Sequence, residues 1–207
     1  APAAPASGGR RAALVYNPIK VDAENLRARV AAHSSAAGWD DPLFFETTVE
    51  DLGDGVAREA LEAGADAVLV AGGDGTVRAV SQAMAGSGVP LTIVPSGTGN
   101  LLARNLHLPL DDPEPMIAAT FDGDVAAIDI GWARLVRPDG EPEEHAFVVM
   151  GGMGLDAAMI ANTNGDLKKR VGWVAYVDGA ARSLVKAKPF AIMYQVPGHR
   201  MHRASIH

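Results

Sequence analysis

The chain of 207 residues has no cysteine. That absence removes disulfides, zinc thiolates and cysteine nucleophiles together, and it fits a reducing compartment. Long apolar runs are missing too. The longest candidate, residues 146–161, is cut by glycines and by Asp156, short of the roughly 18–20 apolar residues a membrane-spanning helix needs. No lysine occurs between Lys20 and Lys168, so no glycine loop in that stretch is a Walker A loop, which needs a Lys after its last glycine. Positive charge is in deficit: a net charge of -7 argues against a general nucleic-acid binder. The six His residues show no metal-ligand spacing. Ser96 lacks the G-x-S-x-G context of a nucleophile elbow, so acyl transfer is unsupported.

What is present is a chain 48% apolar, able to bury a real core in one domain or two. Residues 1–9 are only Ala, Pro, Ser and Gly, and read as a disordered lead-in or a cloning remnant; with no initiator Met, prior processing stays open. From Ala12 strand and helix patterns alternate. Strands are expected at 12–16, 43–47, 67–71 and 91–94, with helices at 23–37, 55–63 and 77–84. That alternation predicts an α/β fold with a parallel, helix-flanked sheet. Val77, Val80 and Met84 share one helical face and are assigned to the core.

Between the third strand and its helix stands Ala71-Gly72-Gly73-Asp74-Gly75-Thr76. Glycines there let the backbone turn tightly and bring its N–H groups close to an anion, and the next helix points its positive end at the same place. A carboxylate beside polyphosphate is repelled unless a metal or a transferable proton lies between them, so Asp74 suggests phosphoryl transfer with Mg2+. The alternative is an ordinary strand-to-helix turn. The dinucleotide fingerprint fails here because Arg78 stands in its last place.

A second loop follows the fourth strand: Pro95-Ser96-Gly97-Thr98-Gly99-Asn100-Leu101-Leu102-Ala103-Arg104. Thr98 and Asn100 offer hydroxyl and amide contacts, Gly97 and Gly99 permit backbone approach, and Arg104 lies one turn into the next helix. Two such sites in succession are expected at the carboxyl edge of a parallel sheet. A plain helix N-cap with glycines nearby remains the alternative.

Together these loops resemble the catalytic domain of the diacylglycerol kinase family, which includes sphingosine kinases and bacterial lipid kinases. The resemblance extends to Val15-Tyr16-Asn17-Pro18, to Thr47-Thr48 with Gly53-Asp54, to Ile128-Asp129-Ile130-Gly131 and to Gly152-Met153-Gly154-Leu155-Asp156-Ala157. It covers residues 12–196 in one continuous order. It implies ATP across the two loops, with Gly72, Gly73, Asp74, Gly75 and Thr76 around the phosphates. Gly97, Thr98, Gly99 and Asn100 would form the second side, with Asn17 and Thr48 nearer the nucleoside. Mg2+ would be held by Asp74, the catalytic candidate, with Asp129 as the second metal candidate. The sequence departs from the family where Ile19-Lys20 follows Asn17-Pro18 and where Leu101 stands in place of an Asp. A Gly-Asp-Gly-Glu-like segment, credited in the family with the catalytic base, does not occur in it.

Near Asp122-Gly123-Asp124 the pattern shifts to strands at 126–132, 133–136, 146–150 and 190–196 joined by short turns. The expected layout is a disordered tail at 1–9, an α/β ATP-binding domain at 10–124 and a mostly antiparallel, β-rich lipid-substrate domain at 125–207. That last sheet is expected to be incomplete, with an exposed edge that suits a homodimer. The segment 152–157 also satisfies G-x-G-x-x-A, but it lacks the βαβ unit and the later acid of a dinucleotide site. Lys168-Lys169-Arg170, with Arg182, Lys186 and Lys188, is either a solvated helix face or a patch for anionic lipid headgroups. Trp173 and Tyr176 beside it are either interfacial anchors or core.

The leading functional expectation is an ATP- and Mg2+-dependent lipid kinase that takes its substrate at a membrane surface. It would be cytoplasmic and peripheral to the inner face, with diacylglycerol first among acceptors and sphingoid bases next. The alternatives are a nucleotide-binding module or kinase fragment without catalysis, and a soluble-substrate kinase of the NAD kinase type.

Overall fold

The computed structural model describes residues 9–136, 140–152, 157, 189–195 and 198–206. The chain divides into two compact units, Ala1–Val149 and Met150–His207.

The first unit is built on four parallel strands: β1 (Ala12–Tyr16), β2 (Leu43–Glu46), β3 (Ala67–Gly72) and β4 (Leu91–Pro95), in the order β2-β1-β3-β4. Every residue of β1 and β3 is buried, as expected of central parallel strands covered on both faces. Side-chain alternation divides the core. Ala13, Val15, Val68, Val70 and Ile93 pack on one face with helices α2 (Asp54–Glu62) and α3 (Asp74–Met84), through Ala57, Ala60, Val77, Val80 and Met84. Leu14, Tyr16, Leu69 and Val94 pack on the other face with α1 (Ala23–Ala36) and α5 (Glu114–Asp122), through Leu26, Val30 and Ile117. Burying each Val, Leu or Ile side chain contributes about 1.5–3 kcal/mol relative to leaving it exposed.

The helices start where local chemistry caps them. Asp22 accepts from the Asn25 N–H at α1. Gly53 opens α2 at φ 135°, a conformation that favours glycine, and a Cβ there would also meet Val80 Cγ2 at 2.7 Å. Helix α3 begins at Asp74, three residues before the apolar period becomes readable at Val77, because its first turn is made of the glycine motif itself. Helix α5 has no counterpart in the sequence expectation. Its Pro113 and Pro115 occupy the N-cap and first turn, where proline is tolerated.

Between β4 and α5 lies the short helix α4 (Leu101–Asn105). After α5 the expected strands at 126–132 and 133–136 resolve into one, β5 (Gly131–Leu135), paired antiparallel with β6 (Glu143–Phe147). Residues 123–130 have no regular structure, and Val125, Ala126, Ala127 and Ile128 are exposed rather than packed. β6 starts earlier than its apolar run because Glu144 pairs with Arg134 and Glu143 with Leu135.

The second unit contains the antiparallel pair β7 (Phe190–Tyr194) and β8 (His202–Ile206), with Tyr194 stacked on His202 at 5.5 Å between ring centroids. Residues 153–156 of the G-x-G-x-x-A segment lie outside the described residues. So do Lys168, Lys169, Arg170, Trp173, Tyr176, Arg182, Lys186 and Lys188.

Candidate functional site

The strand order places the site. From β1 the chain crosses to β2 on one side, then returns past β1 to form β3 and β4 on the other. Loops leaving β1 and β3 at their carboxyl ends therefore diverge across a crevice, the usual ligand position in an open parallel sheet. Asn17 follows β1 and Gly73 follows β3 at that edge. The Asn17 N–H donates to Ala71 O at 2.8 Å, continuing the β1–β3 pairing into the loop. Its side-chain Oδ1 accepts from the Ile19 N–H at 3.0 Å, so the amide shapes its own turn.

The two glycine loops meet. A Cβ on Gly97 would stand 2.7 Å from Gly73 Cα, and one on Gly99 would stand 2.5 Å from Asp74 Oδ2. A Cβ on Gly72 would collide with Thr76 Cβ at 2.7 Å. Gly97 and Gly72 are required by the close approach of fixed atoms, whereas at Gly99 the near atom is the mobile end of the Asp74 side chain. Gly73 and Gly75 differ: a Cβ on either would meet nothing within 4 Å, and neither has positive φ. Nothing among the described residues demands glycine at those two positions.

Asp74 is exposed at the start of α3 and accepts a 2.6 Å hydrogen bond on Oδ1 from the Leu101 N–H at the start of α4. One carboxylate thus joins the first loop to the second. Asn100 sits in the left-handed region at φ 49° and ψ 46°, which Asn tolerates better than most residues. Its amide bridges back to Gly97, accepting from the Gly97 N–H at 2.9 Å and donating to Gly97 O at 2.8 Å. Arg104 Nε donates to Gly99 O at 2.8 Å. The polar side chains of the second loop are therefore used to hold its backbone, except Thr98, which is exposed. Thr76 is buried in the first turn of α3.

At the end of β2, Thr48 closes a small turn with Asp51: its N–H donates to Asp51 O at 2.8 Å and its Oγ1 accepts from the Asp51 N–H at 3.0 Å. Asp51 was not legible as a site residue, although an acid just ahead of a helix start is a capping signal. It accepts from the N–H groups of Gly53, Gly55 and Val56 at 2.9–3.1 Å. Burial pushes its pKa up, but the backbone donors outweigh this and hold the carboxyl below its usual range. Thr47, next to Thr48, is buried with its hydroxyl unpartnered.

Residues 11–133 match the family model of the diacylglycerol kinase catalytic domain. The chain belongs to that family. Among its relatives, a protein named probable lipid kinase YegS-like from Pseudomonas fluorescens is 35% identical over 172 residues, 81% of this chain and 52% of the relative. One of the same name from Pseudomonas aeruginosa is 37% identical over 169 residues, 79% and 51% of the two chains. A diacylglycerol kinase from Mycobacterium tuberculosis is 44% identical over 72 residues, 35% of this chain and 23% of that one. The chain spans about half the length of the YegS-like relatives. A crystal structure of a diacylglycerol kinase from Bacillus anthracis superposes with a TM-score of 0.55 at 19% identity, covering 97% of this chain and 65% of that one, a likeness of fold.

Within this diacylglycerol kinase family domain the two metal candidates stand differently. Asp74 is built into the meeting point of the loops, whereas Asp129 is exposed on the irregular stretch before β5. Among the described residues no group of three or more His, Asp or Glu is arranged to hold an ion together.

Proposed function

We propose that this chain carries the nucleotide-binding part of an ATP-dependent lipid kinase, which transfers the γ-phosphate to a lipid hydroxyl, first of all that of diacylglycerol. The observation that carries the reading is the open backbone at Gly73 and Gly75. Neither backbone angles nor packing among the described residues calls for glycine there, and the bare backbone leaves room for a partner to approach the first turn of α3 closely. A polyphosphate suits it: free N–H groups and the positive end of the helix face the same place. Family membership supports phosphoryl transfer, and the names of the relatives support a lipid acceptor.

The residues fit ATP and Mg2+. Gly72, Gly73, Gly75, Thr76 and Thr98 would surround the phosphates, with Gly97, Gly99 and Asn100 holding the second loop in place behind them. Asn17 and Thr48 would stand toward the nucleoside. Asp74, an exposed carboxylate beside open backbone, would hold Mg2+ or a water on it, the oxygen ligation that ion prefers; Asp129 is the second candidate. ATP supplies the phosphoryl group and Mg2+ neutralises its charge, while the chain's own residues orient the phosphates and exclude misplacement, the source of most of the rate in such transfers. No helix among the described residues is long and apolar enough to cross a membrane.

The test is phosphorylation of micellar diacylglycerol with ATP and Mg2+, beside an NAD control and the Asp74→Ala variant. Phosphatidic acid from wild type alone supports the reading. Phosphorylated NAD would replace it with a soluble-substrate kinase, and bound ATP without transfer would replace it with a binding module.

A further inference from the structure

The hairpin β5–β6 is a two-stranded ribbon, marginal on its own in water. One side chain outside the ribbon ties it down. Gln82, in the third turn of α3, accepts on Oε1 from the backbone N–H of Ala146 at 2.9 Å. The same oxygen accepts from Arg78 Nη1, also at 2.9 Å. Both partners are donors, so the amide must turn its oxygen toward them, and its two lone pairs serve both. Ala146 is 2% exposed, and a buried N–H left without an acceptor costs about 1–3 kcal/mol. The next residues along the chain, Val148 and Val149, pack on the core cluster that contains Val77 and Val80. At the adjoining pair of the ribbon's register the Phe147 ring lies over Gly131, where a Cβ would clash with it.

Helix α3 thus has a task at each end. Its first turn carries Gly73, Asp74 and Gly75, and Gln82 follows Asp74 by eight positions, about 12 Å of helix rise. We infer that Gln82 is a positioning residue: it fixes the β5–β6 ribbon to the helix that presents the glycine loop, so that the ribbon and the proposed phosphate site move as one body. Arg78 holds the Gln82 amide in the accepting orientation. The catalytic consequence rests on the lipid kinase reading; the mechanical one does not.

Two variants separate the roles. Gln82→Glu keeps an oxygen acceptor for both donors, and Gln82→Met keeps the length but removes it. The measurements are hydrogen exchange of the Ala146 amide with and without ATP and Mg2+, then kcat and KM for ATP with micellar diacylglycerol. In wild type and Gln82→Glu, nucleotide is expected to slow Ala146 exchange at least threefold; in Gln82→Met basal exchange rises about tenfold and the nucleotide effect disappears. The kcat of Gln82→Met is expected to fall about tenfold with KM for ATP unchanged, and Gln82→Glu to recover it. Ala146 exchange in Gln82→Met equal to wild type overturns the inference, and so does faster exchange with an unchanged kcat, which leaves a purely structural role. If wild type itself transfers no phosphate, the kinase reading has failed. The inference then stands or falls on whether nucleotide protects Ala146 in wild type and not in Gln82→Met.

Discussion

The Leu101 N–H donates a 2.6 Å hydrogen bond to the Asp74 carboxylate across a separation of 27 residues. That single contact ties the start of α3 to the start of α4, and with them the two glycine loops. It also gives Asp74 two separable tasks, joining the loops and, in the proposed site, carrying negative charge toward a metal.

Asp74→Asn keeps an oxygen for the Leu101 N–H and removes the charge, whereas Asp74→Ala removes both. Both variants are expected to lose lipid phosphorylation by about 100-fold or more, as removal of a preorganised electrostatic group does. Only Asp74→Ala should also loosen the second loop, seen as faster exchange of the Leu101 amide. Equal activity in Asp74→Asn and wild type would remove charge from the role of Asp74.

Gly72→Ala is expected to destabilise the fold by about 1–3 kcal/mol, the range for overpacking a tight contact. The new Cβ would press on Thr76 Cβ, which the helix backbone fixes, so no side-chain rotation relieves it. Urea unfolding at pH 7 measures this directly.

At Asn100 the left-handed backbone and the pair of hydrogen bonds to Gly97 are distinct contributions. Asn100→Gly keeps the first and loses the second; Asn100→Ala loses both. The expected order of stability is wild type, then Gly, then Ala, with the Gly-to-Ala step about 1 kcal/mol. A reversed order would show that backbone conformation is not what Asn supplies.

Far from the loops, Glu114 joins α5 to α1. It bonds His33 at 2.7 Å, accepts from Arg29 Nε at 2.8 Å and from its Nη2, and the His33 bond followed by the Arg29 bond holds its pKa below the ordinary 4.5. A depressed carboxylate stabilises the fold above its unfolded pKa and loses that contribution as pH falls through the folded value. The stability gap between wild type and Glu114→Gln is therefore expected to be present above about pH 4.5 and to close as pH drops below it. Asp51 titrates low as well, but it is common to both proteins and cancels. Urea midpoints from pH 7 to pH 3 give the gap.

Much of this arrangement was legible beforehand. The unbroken apolar runs of β1 and β3 announce strands buried on both faces, and the glycine motifs mark where they end. What escaped is what one-dimensional patterns do not encode. Helix α5 is disguised by prolines that are harmless only in a first turn. Ala126, Ala127 and Ile128 read as strand but are exposed, since their pattern says nothing about a pairing partner. Gln82 carries no motif at all, its importance arising only when Ala146 arrives beside it.

The central claim is that α3 and the two loops form a site for nucleotide phosphates, and Gly73→Ala tests it most directly. Among the described residues, no heavy atom other than those of its chain neighbours lies within 4 Å of the added methyl carbon, so the variant is expected to unfold within about 0.5 kcal/mol of wild type, as surface substitutions do. Calorimetric titration with ATP and Mg2+ is expected to show binding to wild type and at least tenfold weaker binding to Gly73→Ala. Equal affinity in the two proteins, at equal stability, would contradict the account.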